Sequence, residues 1–243
     1  DTQVANMATD LHISANIVGA SDVSITRSGG GTLRLSGNNS ALTGPYIMNG
    51  GIDEIASNNA YGTGVVSLQN DGNTLKAVGA RTLANTIHLN GNIITLGDNL
   101  TFDGNVTMSG SRIIYTMDAA QTVTINGVID EAFFGNLTLT KSGRGTLVLT
   151  AANTYSGQTV IADDGGTMIL RGNGSILNSF QIIVRDAATL RLDNTATNLA
   201  ITTEYSASKF ENKDRIIPPE MTAIKHVSGD DPVAIDMPTL WTH

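Results

Sequence analysis

Residues 25–39 and 139–153 are two versions of one segment, offset by 114 residues without a gap. The first reads Ile-Thr-Arg-Ser-Gly-Gly-Gly-Thr-Leu-Arg-Leu-Ser-Gly-Asn-Asn, the second Leu-Thr-Lys-Ser-Gly-Arg-Gly-Thr-Leu-Val-Leu-Thr-Ala-Ala-Asn. Eight of the fifteen positions are identical: Thr26/Thr140, Ser28/Ser142, Gly29/Gly143, Gly31/Gly145, Thr32/Thr146, Leu33/Leu147, Leu35/Leu149 and Asn39/Asn153. Arg27/Lys141 and Ser36/Thr150 are conservative pairs. Short strands and glycine turns that recur in this way point to units that stack on one another. A stacked chain is more often a scaffold or a surface than a catalyst.

Strand signals run from Leu11–Ile17 through Asp22–Arg27, Thr32–Leu35 and Gly64–Leu68 to Phe180–Arg185, Thr189–Leu192 and Leu199–Thr202. Most alternate apolar and polar residues, as in Leu-Thr-Leu-Thr at 137–140, the mark of a half-buried strand. Between them sit Asn-Gly at 49, 90, 126 and 173 and Asp-Gly at 71 and 103. Such pairs accept positive φ, and they suit hairpins as well as solenoid corners. The repeat favours the solenoid. Pro45 is the only proline before residue 218, as expected where every strand donates to a ladder. The expected fold is all-β: a right-handed parallel β-helix (β-solenoid) over about residues 11–203, with Leu33, Leu35, Leu147 and Leu149 inside. Three strands per turn give roughly six to eight rungs, a stack about 30 to 40 Å long. The domain division is 1–203 for the solenoid and 204–243 for a non-repeat tail. That tail holds Pro218, Pro219, Pro232, Pro238 and the only tryptophan, Trp241.

Composition narrows the chemistry. The net charge is −8, with Lys and Arg scattered singly, which speaks against nucleic acid and anionic membrane as partners. There is no cysteine, so disulfides and Cys-ligated zinc are excluded. No stretch approaches the ~20 apolar residues of a membrane helix. The sequence opens at Asp1 rather than Met, as expected of a processed product or a piece of something longer. His12, His88, His226 and His243 show no metal-ligand spacing, and neither a nucleophile elbow nor a phosphate loop occurs. Acidic pairs stand at Asp53-Glu54, Asp130-Glu131, Asp163-Asp164 and Asp230-Asp231. Paired carboxylates are what glycoside cleavage needs, yet neighbours on a strand point to opposite faces, so each pair offers one carboxylate per face. Tyr46, Tyr61, Tyr115 and Tyr155 are too dispersed to make a sugar-stacking platform. The sequons at Asn38, Asn99, Asn105, Asn136 and Asn173 are what a chain so rich in Asn, Ser and Thr produces by chance. No catalytic, cofactor-binding or metal residue is assigned.

The segment Leu139-Thr140-Lys141-Ser142-Gly143-Arg144-Gly145-Thr146-Leu147-Val148-Leu149 continues through Ala151-Ala152-Asn153-Thr154-Tyr155-Ser156-Gly157 and Thr159-Val160-Ile161 to Gly165-Gly166-Thr167-Met168. It resembles the passenger-associated strand repeat of bacterial autotransporters. The first copy is weaker, with Ser40-Ala41-Leu42-Thr43-Gly44 and Asn49-Gly50-Gly51-Ile52 in the corresponding places. The resemblance spans roughly residues 11–200. It implies a parallel β-helix passenger exported across the outer membrane of a Gram-negative-type bacterium and displayed or released there, with no particular activity. The expected function is a non-catalytic, adhesin-type surface scaffold without cofactors. Its partners would be host-surface or matrix glycans and proteins, or copies of itself through exposed β-helix ends. A filament subunit built by strand donation and a polysaccharide-acting β-helix enzyme are the alternatives. For the tail, a cap on the last rung, a linker or a donated strand is expected.

Overall fold

The computed structural model describes residues 9–193, apart from 133, 134, 163, 165 and 186, together with the backbone of 215–217. Three sheets wrap one core. Sheet 1 has ten strands: β1 (Leu11–Ile13), β3 (Thr32–Leu35), β5 (Ile52–Ile55), β7 (Asn73–Ala77), β10 (Ile93–Gly97), β13 (Arg112–Thr116), β16 (Leu139–Ser142), β18 (Gln158–Ile161), β20 (Gln181–Val184) and β22 (Arg215–Ile217). Sheet 2 starts later and contains β8 (Arg81–Leu83), β11 (Leu100–Phe102), β14 (Thr122–Ile125), β17 (Thr146–Leu149), β19 (Thr167–Arg171) and β21 (Thr189–Asp193). Sheet 3 stops earlier and contains β2 (Ile25–Ser28), β4 (Tyr46–Asn49), β6 (Val66–Leu68), β9 (Ile87–Leu89), β12 (Val106–Met108) and β15 (Ile129–Glu131). The chain passes from sheet 1 to sheet 2 to sheet 3 and back. Partners in successive turns lie 19 to 27 residues apart, as in Arg81↔Leu100 and Ile114↔Lys141. Nine successive parallel strands in sheet 1 mark eight turns. The protein is a parallel β-solenoid.

Alternation along each strand sends every second side chain inward. Parallel register then stacks equivalent inward residues into columns: Leu83, Phe102, Ile125, Leu149, Leu170 and Leu192 in sheet 2, and Met48, Leu68, Leu89 and Met108 in sheet 3. Leu35, Leu147 and Leu149 are buried as expected, whereas Leu33 is only half-buried against the cluster. Four strands are absent from the sequence reading: β4, β5, β8 and β15. Asn49-Gly50, Asp53-Glu54 and Asp130-Glu131 gave β4, β5 and β15 the look of turns or solvated charge, because an inward Asp breaks the apolar alternation. The expected strand at Leu199–Thr202 lies outside the described residues.

The two sequence copies do not stack on each other. Residues 25–35 run from β2 in sheet 3 to β3 in sheet 1, and residues 139–149 run from β16 in sheet 1 to β17 in sheet 2. The 114-residue offset is therefore five turns plus one face. The motif encodes a strand–corner–strand unit that fits more than one edge of the prism.

At the corner between sheets 2 and 3, successive coils touch backbone to backbone. A Cβ on Gly44 would stand 1.8 Å from Val23 O, one on Gly64 2.1 Å from Gly44 O, and one on Gly127 2.1 Å from Gly104 O. Glycine is needed there for close approach. Some Asn-Gly and Asp-Gly pairs thus make solenoid corners, and the only antiparallel pairing among the described strands is β22 on β20, Ile217 opposite Ile182. At the opposite end the first coil leaves Leu11, Val18 and Val23 exposed.

Leu147→Ala is expected to cost about 2–5 kcal/mol in denaturant melts, since a column held by ladders on both sides relaxes poorly around a hole. Gly127→Ala should cost about 1–3 kcal/mol by wedging adjacent coils apart. A loss below about 1 kcal/mol for Leu147→Ala would place that side chain outside the core.

Candidate functional site

The repeated motif has an internal chemistry. Its basic residue sits on an inward strand position just before the glycine corner. Lys141 is fully buried, and its Nζ donates to the carbonyls of Ser142 (2.7 Å) and Gly143 (2.5 Å). Arg27 does the same work in the first copy, with Nη1 donating to Gly29 and Gly50 carbonyls and Nη2 to Gly31 and, at 3.4 Å, Ile52. The cation gives the corner carbonyls an inward donor; Gly31 O also accepts from Ile52 N in the next coil (3.0 Å) and Ser142 O from Thr116 Oγ1 (3.3 Å). Gly143 holds φ +80 with a Cβ position 2.3 Å from Thr116 O, which is why the motif keeps glycine there. Burial pushes the Lys141 amine down to about 8, with Asp164 acting in the opposite direction.

The identical Asn39 and Asn153 are clamps across three coils. Asn39 Oδ1 accepts from Ile17 N in the preceding coil (2.8 Å), and its Nδ2 donates to Ala60 O in the next (2.7 Å). Asn153 repeats this with Ile129 N (2.8 Å) and Ser175 O (3.0 Å). Both amides are buried.

One buried cluster belongs to the first copy alone. Asp53 has no exposure, and its Oδ1 lies 3.2 Å from Arg27 Nε. Its Oδ2 accepts from the hydroxyls of Tyr46 (2.7 Å) and Tyr61 (3.1 Å). The two rings pack at a centroid distance of 4.4 Å, tilted by 38°. Burial pushes the Asp53 carboxyl up, against Tyr46, Arg27 and Tyr61, all of which favour the anion. Burial likewise drives the Tyr46 and Tyr61 hydroxyls far above the usual phenol range, with the Asp53 charge adding to it. Sequence reasoning missed this cluster. Its signal was an Asp on the inward phase of Ile52-Asp53-Glu54-Ile55, with Arg27 one turn back.

The acidic pairs do not converge. Asp53 points into the core and Glu54 points out of sheet 1, where Lys76 Nζ (2.9 Å) and Arg34 Nη1 (3.7 Å) flank it and Thr9 Oγ1 donates to it (2.6 Å). Asp130 is half-buried in sheet 3, three coils away. Glu131 braces a loop by accepting from Ser156 Oγ (2.5 Å) and Leu137 N (2.9 Å). Asp164 is exposed and accepts from Ser142 Oγ (2.5 Å); Asp163, Asp230 and Asp231 lie outside the described residues, as do His226 and His243. Among the described residues no group of three or more His, Asp or Glu side chains stands close enough to hold a metal. His12 meets Ser36 Oγ at 2.7 Å on the exposed face, and His88 lies between Ser67 and Thr107 on the outside of sheet 3. Of the described tyrosines, Tyr46, Tyr61 and Tyr155 are buried and Tyr115 shows a face outward. Asn99 and Asn105 spend their side-chain carbonyls on the next coil, accepting from Thr122 N (2.8 Å) and Val128 N (3.0 Å). What these residues build is coil-to-coil cohesion, and among the described residues no helix is long and apolar enough to cross a membrane.

A prism whose recurring chemistry is a basic residue, a Gly-x-Gly corner and a clamping Asn is a repeat-built β-solenoid. Residues 25–51 and 139–170 match the passenger-associated-transport-repeat, so the match falls on the two corner-and-clamp units just described. The chain carries this repeat and is similar to an autotransporter over part of its length. It is 35% identical over 144 residues to the adhesin BmaC autotransporter of Brucella suis biovar 1 (strain 1330); the aligned region is 58% of this chain and 4% of that protein. No solved structure matches.

Asp53→Ala would leave Arg27 without its counter-ion and two tyrosine hydroxyls without an acceptor, and is expected to cost about 3–5 kcal/mol by chemical denaturation. Acid should also weaken the stack. At Glu54 burial pushes the pKa up, but Thr9, Lys76 and Arg34 hold it below the ordinary 4.5. At Glu131 burial acts likewise and is outweighed by Ser156 and the backbone of Leu137, Ser156 and Asn136. Their stabilisation is complete above the ordinary glutamate value and is lost as pH falls through the lower folded values. The melting temperature should therefore drop below about pH 4.5, less steeply in Glu131→Gln; equal pH profiles for the variant and the parent would remove Glu131 from this account.

Proposed function

We propose that this chain is a non-catalytic segment of a surface-displayed, adhesin-type passenger on a Gram-negative-type bacterium, presenting its faces to host-surface or matrix glycans and proteins. The observation that carries the reading is where the reactive groups go. Asp53, Tyr46, Tyr61, Arg27 and Lys141 are consumed inside the prism, and Glu54 and Glu131 are tied to neighbouring coils. The described carboxylates do not line a common groove. The repeat family and the identity to an adhesin autotransporter support display and adhesion. The chain spans 4% of that adhesin's length.

Two measurements test it. Antibody raised against the folded chain should label intact cells of the source bacterium, and labelling that appears only after permeabilisation would overturn surface display. Beads coated with the native chain should bind host cells or matrix and lose binding when the chain is denatured. Polysaccharide turnover by the purified chain that disappears in Asp130→Asn or Glu131→Gln would replace the scaffold reading with an enzymatic one.

A further inference from the structure

Many amide and carboxylate side chains on the outside of this solenoid are spent on a neighbouring coil. Asp71 Oδ1 accepts from Asn92 N, Asn92 Oδ1 from Ile113 N, and Asn99 Oδ1 from Thr122 N. On sheet 1, Arg34, Glu54 and Lys76 share one outward column, and both cations pair with Glu54. On sheet 2 the outward column runs from Thr82, Thr101 and Thr124 to Val148 and Ile169. Sheet 3 differs from both. Its central outward column is Ser67, His88 and Thr107 on β6, β9 and β12, each in register with the next. Ladder bonds from Gln69 N to Met48 O and from Asn90 N to Leu68 O carry the pairing past the strand ends. Alternation places Gln69 and Asn90 on the same outer face, two residues beyond Ser67 and His88, and Thr86 two residues before His88. These six residues are at least partly exposed, and none is bonded through its side chain to another described residue.

Charge narrows what such a face can hold. β6, β9 and β12 contain no Asp, Glu, Lys or Arg. Acidic residues rim them: Asp71 and Asp103 at the corners, and Asp130 in register beyond Thr107. Arg112, the cation at this edge, is turned onto Leu89 O (3.0 Å) and Ser109 Oγ (3.1 Å). The rim repels anions, and the middle offers a cation no carboxylate. What complements the face is an uncharged ligand rich in hydroxyl groups. The strands sit on Leu68, Leu89 and Met108, which have no exposure. Their outward groups are thus held at the coil spacing of ~4.8 Å, close to the length of one sugar ring in an extended chain. We propose that the outer face of sheet 3 across β6, β9 and β12 binds an uncharged polysaccharide laid along the solenoid axis, with Ser67, His88 and Thr107 beneath it and Gln69, Thr86 and Asn90 on its flanks. These strands carry no tyrosine or tryptophan to stack on a ring, so recognition is by hydrogen bonds and each coil contributes little. The inference rests on the adhesive reading and gives it a face and a ligand class.

The full chain is run through native gels that contain a neutral glucan, mannan or galactan, or a polyuronate, and affinity is read from its retardation. At least one neutral polysaccharide should retard the parent chain, and the polyuronate should not. His88→Ala combined with Thr107→Ala should weaken retardation at least about fivefold, the effect of losing two hydrogen-bonding groups, with the melting temperature unchanged. Ser67→Ala combined with Gln69→Ala is an independent variant of the same face and should act in the same direction. Thr101→Ala combined with Thr124→Ala, outward on sheet 2, should leave retardation as it is. Retardation by the polyuronate alone, by none of the four, or equally in the parent and both sheet 3 variants would overturn the proposal. Beads coated with the chain separate this inference from the adhesive role. Unchanged binding of host cells by both sheet 3 variants would leave adhesion standing and overturn the assignment of sheet 3 to it. Polysaccharide retardation that the sheet 3 variants lose, by a chain whose beads ignore host cells, would sustain the assignment and remove the adhesive role.

Discussion

Everything in this protein hangs on hydrogen bonds that run along the axis between coils. A parallel ladder fixes the coil spacing near 4.8 Å on all three faces, and the corners must keep the same spacing without strands. Glycine makes that possible where backbone meets backbone, as at Gly44, Gly64 and Gly127, whose Cβ positions are already taken by the carbonyl of the coil before. Asparagine completes it where the coil opens slightly, by reaching in both directions from Asn39 and Asn153. A change at a corner is therefore felt by at least two coils.

The same geometry explains the buried cations. A corner that turns its carbonyls inward needs a donor inside, and a long basic side chain on the preceding strand is the nearest source. Lys141 and Arg27 fill this role with different numbers of bonds, in keeping with the point charge of an ammonium and the fork of a guanidinium. Arg27 has more donors than its own corner uses, and Asp53 takes the remainder. That places a carboxylate where the second copy has Met168, and two tyrosines close over it. The cluster belongs to the core; its polarity is structural.

A stack of this kind separates its two surfaces. The interior must repeat, since each residue touches its counterparts above and below. The outer face is free to vary from coil to coil, as in the outward column that passes from Thr82 and Thr101 to Val148 and Ile169. A long stalk can thus carry different surfaces along its length on one interior rule.

The sequence by itself determined the class of fold. Eight identities at a fixed offset, Gly-punctuated strands and the absence of proline from 46 to 217 leave few alternatives to a parallel stack, and the burial of Leu35, Leu147 and Leu149 follows from alternation alone. The passenger repeat was legible for the same reason: a corner unit is local, so its residues are consecutive. What only the tertiary structure decided is everything set by the coil above or below. The copies occupy different faces, because the offset is not a whole number of turns. β4, β5 and β15 are strands despite their turn-like and acidic residues, because ladders on neighbouring coils impose the conformation. Asp53, Tyr46 and Tyr61 meet Arg27 across successive coils, and Glu54 finds Lys76 22 residues on. These pairings depend on the exact length of each coil, which ranges from 19 to 27 residues, and that length is fixed only when the ladder closes.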